Sequence, residues 1–230
     1  MGIPATAEPE GSLAERAHDT LSRLVLTRQL PSGSIIVEGK LADQLQISRT
    51  PIREAILRLA AEGLLVKQGT RSYAVRRVGS VEFFQALKAR ELVEGEAIEL
   101  AIVRVAPEQI AQIRAKVLKL GKLAKQEAAH WDMDDCIHQL FPNAINNAVM
   151  LRMIRELRQT TRLFELKSPT GRVARDAAEH ASILDAFAEG NARRARAAML
   201  THLRNVAAEM LAVVTGRDAG AHKPRGRLSE

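Results

Sequence analysis

Aromatic residues are scarce in this chain: one tryptophan, one tyrosine and five phenylalanines make up 3% of 230 residues. That scarcity argues against a platform for stacking the bases of single-stranded nucleic acid. A single cysteine, Cys136, excludes an intramolecular disulfide framework and suits a reducing cytoplasm. No apolar run reaches bilayer-spanning length, and the start, MGIPATAEPEG, has no signal-peptide hydrophobic region. The expected setting is cytoplasmic, with no membrane partner. Strand signals are missing from Ser80 to Thr215, where helical periodicity is interrupted only by punctuation.

What is present is enough apolar material, 46%, for two modest domains each with its own core. The net charge of +7 is placed unevenly. Residues 12–79 carry 11 Lys and Arg against 6 Asp and Glu, whereas residues 80–215 carry 19 against 17. The excess in the first segment has the character of a footprint for a polyanion.

Within that segment, Leu41 to Leu65 reads as two short helices joined by a tight turn. Ile52, Ala55, Ile56 and Leu59 follow the i, i+3, i+4, i+7 spacing of a buried stripe. Arg49 and Arg53, four residues apart, project together from the opposite face. Ser48 or Thr50 suits the helix start, Pro51 its first turn, and Gly63 its end. Leu64 to Val78 then reads as two strands around Gln68-Gly69-Thr70. A helix-turn-helix with a β-wing places one helix in a DNA major groove.

Upstream, residues 1–11 read as a disordered leader. Ser12 and Glu15 form a capping box opening a helix whose inner face carries Ala17, Leu21 and Leu24. Beyond a short basic linker, Arg76 to Ser80, the expected helices are Ser80–Val105, Pro107–Ala129, Asp132–Phe141, Ala148–Lys167, Val173–Glu189 and Asn191–Thr215. Residues 216–230 read as a disordered basic tail. The fold class expected is mainly α: a winged helix-turn-helix over 12–78 and an all-α helical bundle over 79–215.

The bundle carries a second constellation. Asp134 and His138, at i and i+4, can face one point. His180 and His202 are each eleven residues from Asn191, the midpoint of a helical hairpin. Residues equidistant from the turn of an antiparallel pair lie at one level, about 16 Å from that turn. The four side chains could close on one divalent cation.

Leu41-Ala42, Ser48-Arg49-Thr50-Pro51-Ile52-Arg53-Glu54-Ala55, Arg58-Leu59 and Glu62-Gly63-Leu64 together resemble the winged-helix domain of GntR-type bacterial transcription regulators. Leu30-Pro31-Ser32-Gly33 and Glu38 fit the same pattern. Asp134-x-x-x-His138, then Asn147, Glu179-His180, Leu184-Asp185-Ala186 and Ala197-Ala198-Met199 before His202, look like the FCD ligand-binding domain of the FadR subfamily. The resemblance implies a homodimeric, ligand-responsive repressor on a palindromic operator of double-stranded DNA. Arg49, Thr50 and Arg53 would contact DNA from the second helix, with Arg71 at the wing and Lys40 on the first helix. It also implies that Asp134, His138, His180 and His202 are the ligands of a divalent metal such as Zn or Ni. A small carboxylate effector would meet that metal, with Arg90 and Asn147 as further effector contacts. The bland reading of Arg90 is a helix-surface pair with Glu94 at i+4. His18, His130 and His222 match no ligand position and read as surface residues.

Several positions depart from the pattern. Ile137 replaces an aromatic, Ser72 stands where the wing usually has glycine, and Gly39 stands where some relatives are basic. Pro142 cannot donate to the carbonyl of His138, which points to a helix that ends or bends there. Two other readings remain: a metalloenzyme acting on small organic acids, and a regulator whose metal is purely structural.

Overall fold

The computed structural model of the protein describes residues 12–69, 72–123, 128–164 and 172–216. Among them lie nine helices and three short strands. The chain divides into two compact units: residues 1–79 with 159–165, and residues 80–158 with 166–230.

In the first unit, α1 (Leu13–Leu26) opens on the Ser12–Glu15 capping box, with both reciprocal hydrogen bonds formed. Its inner face is Ala17, His18, Leu21 and Val25, while Leu24 is only half-buried. α2 (Glu38–Leu45) ends on Gln46 in the left-handed region (φ 53°), which turns the chain into α3 (Arg49–Ala61). The predicted stripe Ile52, Ala55, Ile56 and Leu59 is buried and packs on α1. After α3, Gly63 at φ 77° takes the backbone conformation that an L side chain resists. The wing is β2 (Leu65–Lys67) paired antiparallel with β3 (Tyr73–Val75). A third strand that the pattern did not announce, β1 (Ile35–Ile36), joins the outer edge of β3, giving the order β1-β3-β2. Two residues are too few to show an alternation, so β1 is defined by its partner.

His18 corrects the expectation of a surface histidine. It is 9% exposed, and its Nε2 lies 2.9 Å from a Glu62 carboxylate oxygen, tying α1 to the end of α3. His130 is part-buried against the Leu120 carbonyl at 3.0 Å, and His222 lies outside the described residues.

The second unit contains α4 (Ser80–Ala101), α5 (Pro107–Leu120), α6 (Ala128–Ala144), α7 (Ala148–Leu163) up to Arg158, α8 (Arg172–Ala188) and α9 (Ala192–Val214), while the last residues of α7 belong to the first unit. α5 stops nine residues before its expected end. There Gly121 comes so near α8 that a Cβ on it would lie 2.3 Å from the Ala177 Cβ. α6 starts early, runs through Trp131, where a break was expected, and carries Pro142 inside its last turn. Pro142 lies so near the C-terminus that the helix forgoes the bond to His138 O and continues only to Ala144. α8 and α9 form the expected hairpin, with Gly190 at φ 68° and Asn191 capping α9 through the Arg194 N–H at 3.0 Å.

Candidate functional site

On the first unit, Arg49, Thr50 and Arg53 are exposed on the face of α3 opposite its buried stripe, and Lys40 is exposed on α2. Arg49 reaches over the start of α2, with its Nη2 3.7 Å from where a Gly39 side chain would begin. Arg53 is paired with Glu38, Nη2 to Oε2 at 3.0 Å. Arg71 lies outside the described residues.

On the second unit, helices α6, α8 and α9 bring Asp134, His138, His180 and His202 together. One potential ligand atom from each lies within 4.8 Å of the other three. The ring centroids of His180 and His202 are 4.6 Å apart, and that of His138 is 5.4 and 5.3 Å from them. All three imidazoles are 1–4% exposed. Burial depresses their affinity for protons, to pKa values of about 4 for His138, about 3 for His180 and about 4 for His202. Near neutral pH they are uncharged, the state in which imidazole can ligate a metal.

The hydrogen bonds select the tautomers. His202 Nδ1 donates to Glu179 Oε2 at 2.7 Å, and His138 Nδ1 bonds a Glu94 carboxylate oxygen. With Nδ1 carrying the proton in both rings, each Nε2 keeps its lone pair. The Nε2 atoms of His138 and His180 are buried with no hydrogen-bond partner, and each lies 3.6 Å from Asp134 Oδ1. Unpartnered buried nitrogens facing a carboxylate oxygen are the donor set that a divalent cation would satisfy. The residues present fit the metal that the fold implies.

A ring of charges surrounds these four. Arg158, 3% exposed, bridges Asp134 Oδ2 at 2.6 Å and Asp135 Oδ1 at 2.7 Å. Burial works against its charge, but the carboxylates outweigh burial and raise its pKa further. Arg90 Nε donates to Glu94 Oε1 at 2.5 Å, and its Nη2 lies 3.4 Å from His138 Nδ1. Burial would lift the Glu94 carboxyl, yet Arg90 and His138 hold it well below the carboxylate range. The Arg90–Glu94 pair thus forms, but in the interior rather than on the helix surface. Asn147 caps α7, its Oδ1 accepting the Met150 N–H at 3.0 Å.

Sequence reasoning assigned no role at the site to Glu94, Arg158 or Glu179. Glu94 carried a signal only as the i+4 partner of Arg90. Arg158 had one in its i+4 spacing from Ile154, which is fully buried. Glu179 sat in the motif beside His180 but orients His202 instead.

Comparison with known proteins accords with both halves. The model for bacterial regulatory proteins of the gntR family matches residues 13–75, and that for the FCD domain matches residues 85–205. An uncharacterised HTH-type transcriptional regulator from an unstable DNA locus of Streptomyces ambofaciens is 29% identical over 192 residues, covering 81% of this chain and 80% of its own. The Nta operon transcriptional regulator of Aminobacter aminovorans is 25% identical over 186 residues, 80% of this chain and 88% of its own. The solved structure of E. coli McbR/YncC has the same fold, with a TM-score of 0.76 at 19% identity over 87% of this chain and 98% of that one. No helix among the described residues is long and apolar enough to cross a membrane. With an FCD model spanning more than half of its length behind a matching winged helix, the chain belongs to the GntR family of bacterial transcription regulators and is not an enzyme.

Proposed function

We propose that this regulator is a cytoplasmic, homodimeric repressor of a palindromic operator, released from DNA when a small carboxylate binds at a divalent metal in its FCD domain. Residues 12–78 form the DNA-binding domain and 79–215 the effector and dimerisation domain. Arg49 and Arg53 contact guanine edges or adjacent phosphates, with Thr50, Lys40 and Arg71 assisting. The observation that carries the metal reading is the pair of buried, unpartnered Nε2 atoms of His138 and His180 beside Asp134 Oδ1.

Asp134, His138, His180 and His202 would hold the ion. When bound, it supplies open coordination positions that attract a carboxylate. The chain's own residues set the geometry. Glu94 and Glu179 fix the rings of His138 and His202, and Arg158 fixes the carboxylate of Asp134. Arg90 is the effector's cationic contact, its guanidinium shared between the incoming carboxylate and Glu94. Asn147 contributes its amide nitrogen, since its oxygen already caps α7. The effector controls DNA only by binding the two arrangements of the dimer with different affinity.

Elemental analysis of the purified protein tests the metal directly: about one divalent ion per chain is expected. His180→Ala and His202→Ala should each lose most of it, and unchanged content in both removes the site. A thermal-shift screen of small carboxylates, with and without chelator, then tests the effector, since a ligand stabilises in proportion to its occupancy. If a stabilising carboxylate releases operator from chelated protein as well, the ion is structural.

A further inference from the structure

Arg53 is not a loose cation. Glu38 holds one edge of its guanidinium with both carboxylate oxygens, through Nη2 at 3.0 Å and Nε at 3.4 Å. The partners differ in exposure: 65% for the Arg53 side chain, 24% for that of Glu38. The carboxylate is therefore the anchored member and the guanidinium the outward one. Glu38 is also the first residue of α2, where no side chain caps the helix. The positive end of the helix dipole favours a carboxylate there and helps to hold it. The pair spans 15 residues and bridges the two helices of the helix-turn-helix.

An ion pair so exposed contributes little to stability. It also sets a negative charge on the surface that approaches a polyanion, which weakens attraction to any phosphate nearby. What the pair supplies is direction. Phosphate neutralisation needs only charge, whereas a bidentate contact to a guanine edge needs the guanidinium plane fixed. Bonds at Nε and Nη2 restrict the rotation of a long side chain before DNA arrives, lowering the ordering cost of that one geometry.

We propose that Glu38 is a positioning residue for operator discrimination: it holds Arg53 in the orientation that reads a base and keeps it from serving as a general phosphate contact. The inference rests on the assignment of α3 as the DNA-contacting helix. Glu38 itself touches no base.

The test uses the full-length protein and two duplexes: one selected by the wild type from a random pool, and a scrambled duplex of the same composition. Both are titrated across a range of salt concentrations. Glu38→Gln keeps the shape and removes the charge. Its affinity for the scrambled duplex should rise, with a log–log salt slope steeper by about 1 per chain as Arg53 gains a phosphate. Affinity for the selected duplex should not follow, so the ratio of the two falls about tenfold. The loss should map to the base pair at which Arg53→Ala loses discrimination. A wild-type ratio in Glu38→Gln overturns the proposal, as does equal weakening on both duplexes, which would make Glu38 a folding support. Arg53→Lys keeps the charge but not the fork, and should lower the ratio even if Glu38→Gln folds poorly; a wild-type ratio there also overturns it. Arg53→Ala separates the two levels. If it and Arg49→Ala both bind the selected duplex as the wild type does, the assignment of α3 itself is wrong; if Arg53→Ala alone does, Arg53 is no operator contact and the proposal is overturned. If it loses that duplex while Glu38→Gln keeps the ratio, only the role of Glu38 falls.

Discussion

Glu94 shows how much one buried side chain can organise. At 2% exposure it takes Arg90 on one oxygen and His138 on the other, and so determines which nitrogen of His138 bears a proton. Removing the charge with Glu94→Gln leaves Arg90 buried beside a neutral partner, a situation that costs several kcal/mol, on the order of 3–5. We expect a large fall in denaturation midpoint together with weakened metal retention, both measured on one preparation. A variant with wild-type stability would show that the pair is dispensable.

The three imidazoles also set a pH dependence. Their folded pKa values, about 3 to 4, lie below the unfolded value of about 6.5. The unfolded chain therefore takes up protons first as the pH falls. Stability is fully present above pH 6.5 or so and is lost progressively as the pH drops toward 4. Between pH 6.5 and 5 the loss is of order 1–2 kcal/mol per histidine. Urea melts of metal-stripped protein at several pH values should show this slope. It should shrink in His180→Ala, and an unchanged slope in that variant would mean that this ring does not contribute to it.

At the scale of the elements, Gly95 marks a close approach of α4 to α9. A Cβ there would sit 2.8 Å from Leu200 Cδ1 and 3.5 Å from Arg196 on α9. Leu200 Cδ1 is the end of a flexible side chain, so Gly95→Ala should be close to neutral, its helix propensity gain of about 1 kcal/mol offsetting the shift of Leu200. Gly95→Val has more to displace and should lose about 1–3 kcal/mol in chemical denaturation. Since Glu94 adjoins Gly95, parting α4 from α9 should also loosen His138, seen as faster loss of metal to a chelator. Equal stability of the two variants would mean that the helices separate without cost.

For the whole molecule, the expected separation is between reading DNA and being folded. Arg49 is exposed and its helix is held by Ile52, Ala55, Ile56 and Leu59 on the opposite face. Arg49→Ala should thus keep the wild-type melting temperature and sedimentation profile while operator affinity falls by about 1–3 kcal/mol. If the lost contact is to phosphate, the salt slope should flatten by about 1 per arginine removed. Unaltered operator binding in both Arg49→Ala and Arg53→Ala would sink the assignment of α3.

The winged helix was legible because its signals are local. Caps, the buried stripe of α3 and the glycine at its end are each set by residues within about one or two helical turns. The meeting of His180 and His202 was legible for a related reason: an antiparallel hairpin converts equal distance from Gly190 and Asn191 into a common level. The shell around them was not. Glu94 meets His138 across 44 residues and Arg158 meets Asp134 across 24, pairings that no periodicity encodes. Spacing alone allowed Arg90 and Glu94 to be an exposed surface pair. Packing put them in the interior, where low dielectric and lost water turn the same two side chains into strong determinants of charge and tautomer. Composition and periodicity settle which faces are apolar, and caps such as Ser12 and Asn191 settle where their helices begin. Which polar groups are sealed in together depends on how those faces close, because burial is a property of the packed chain rather than of any segment of it.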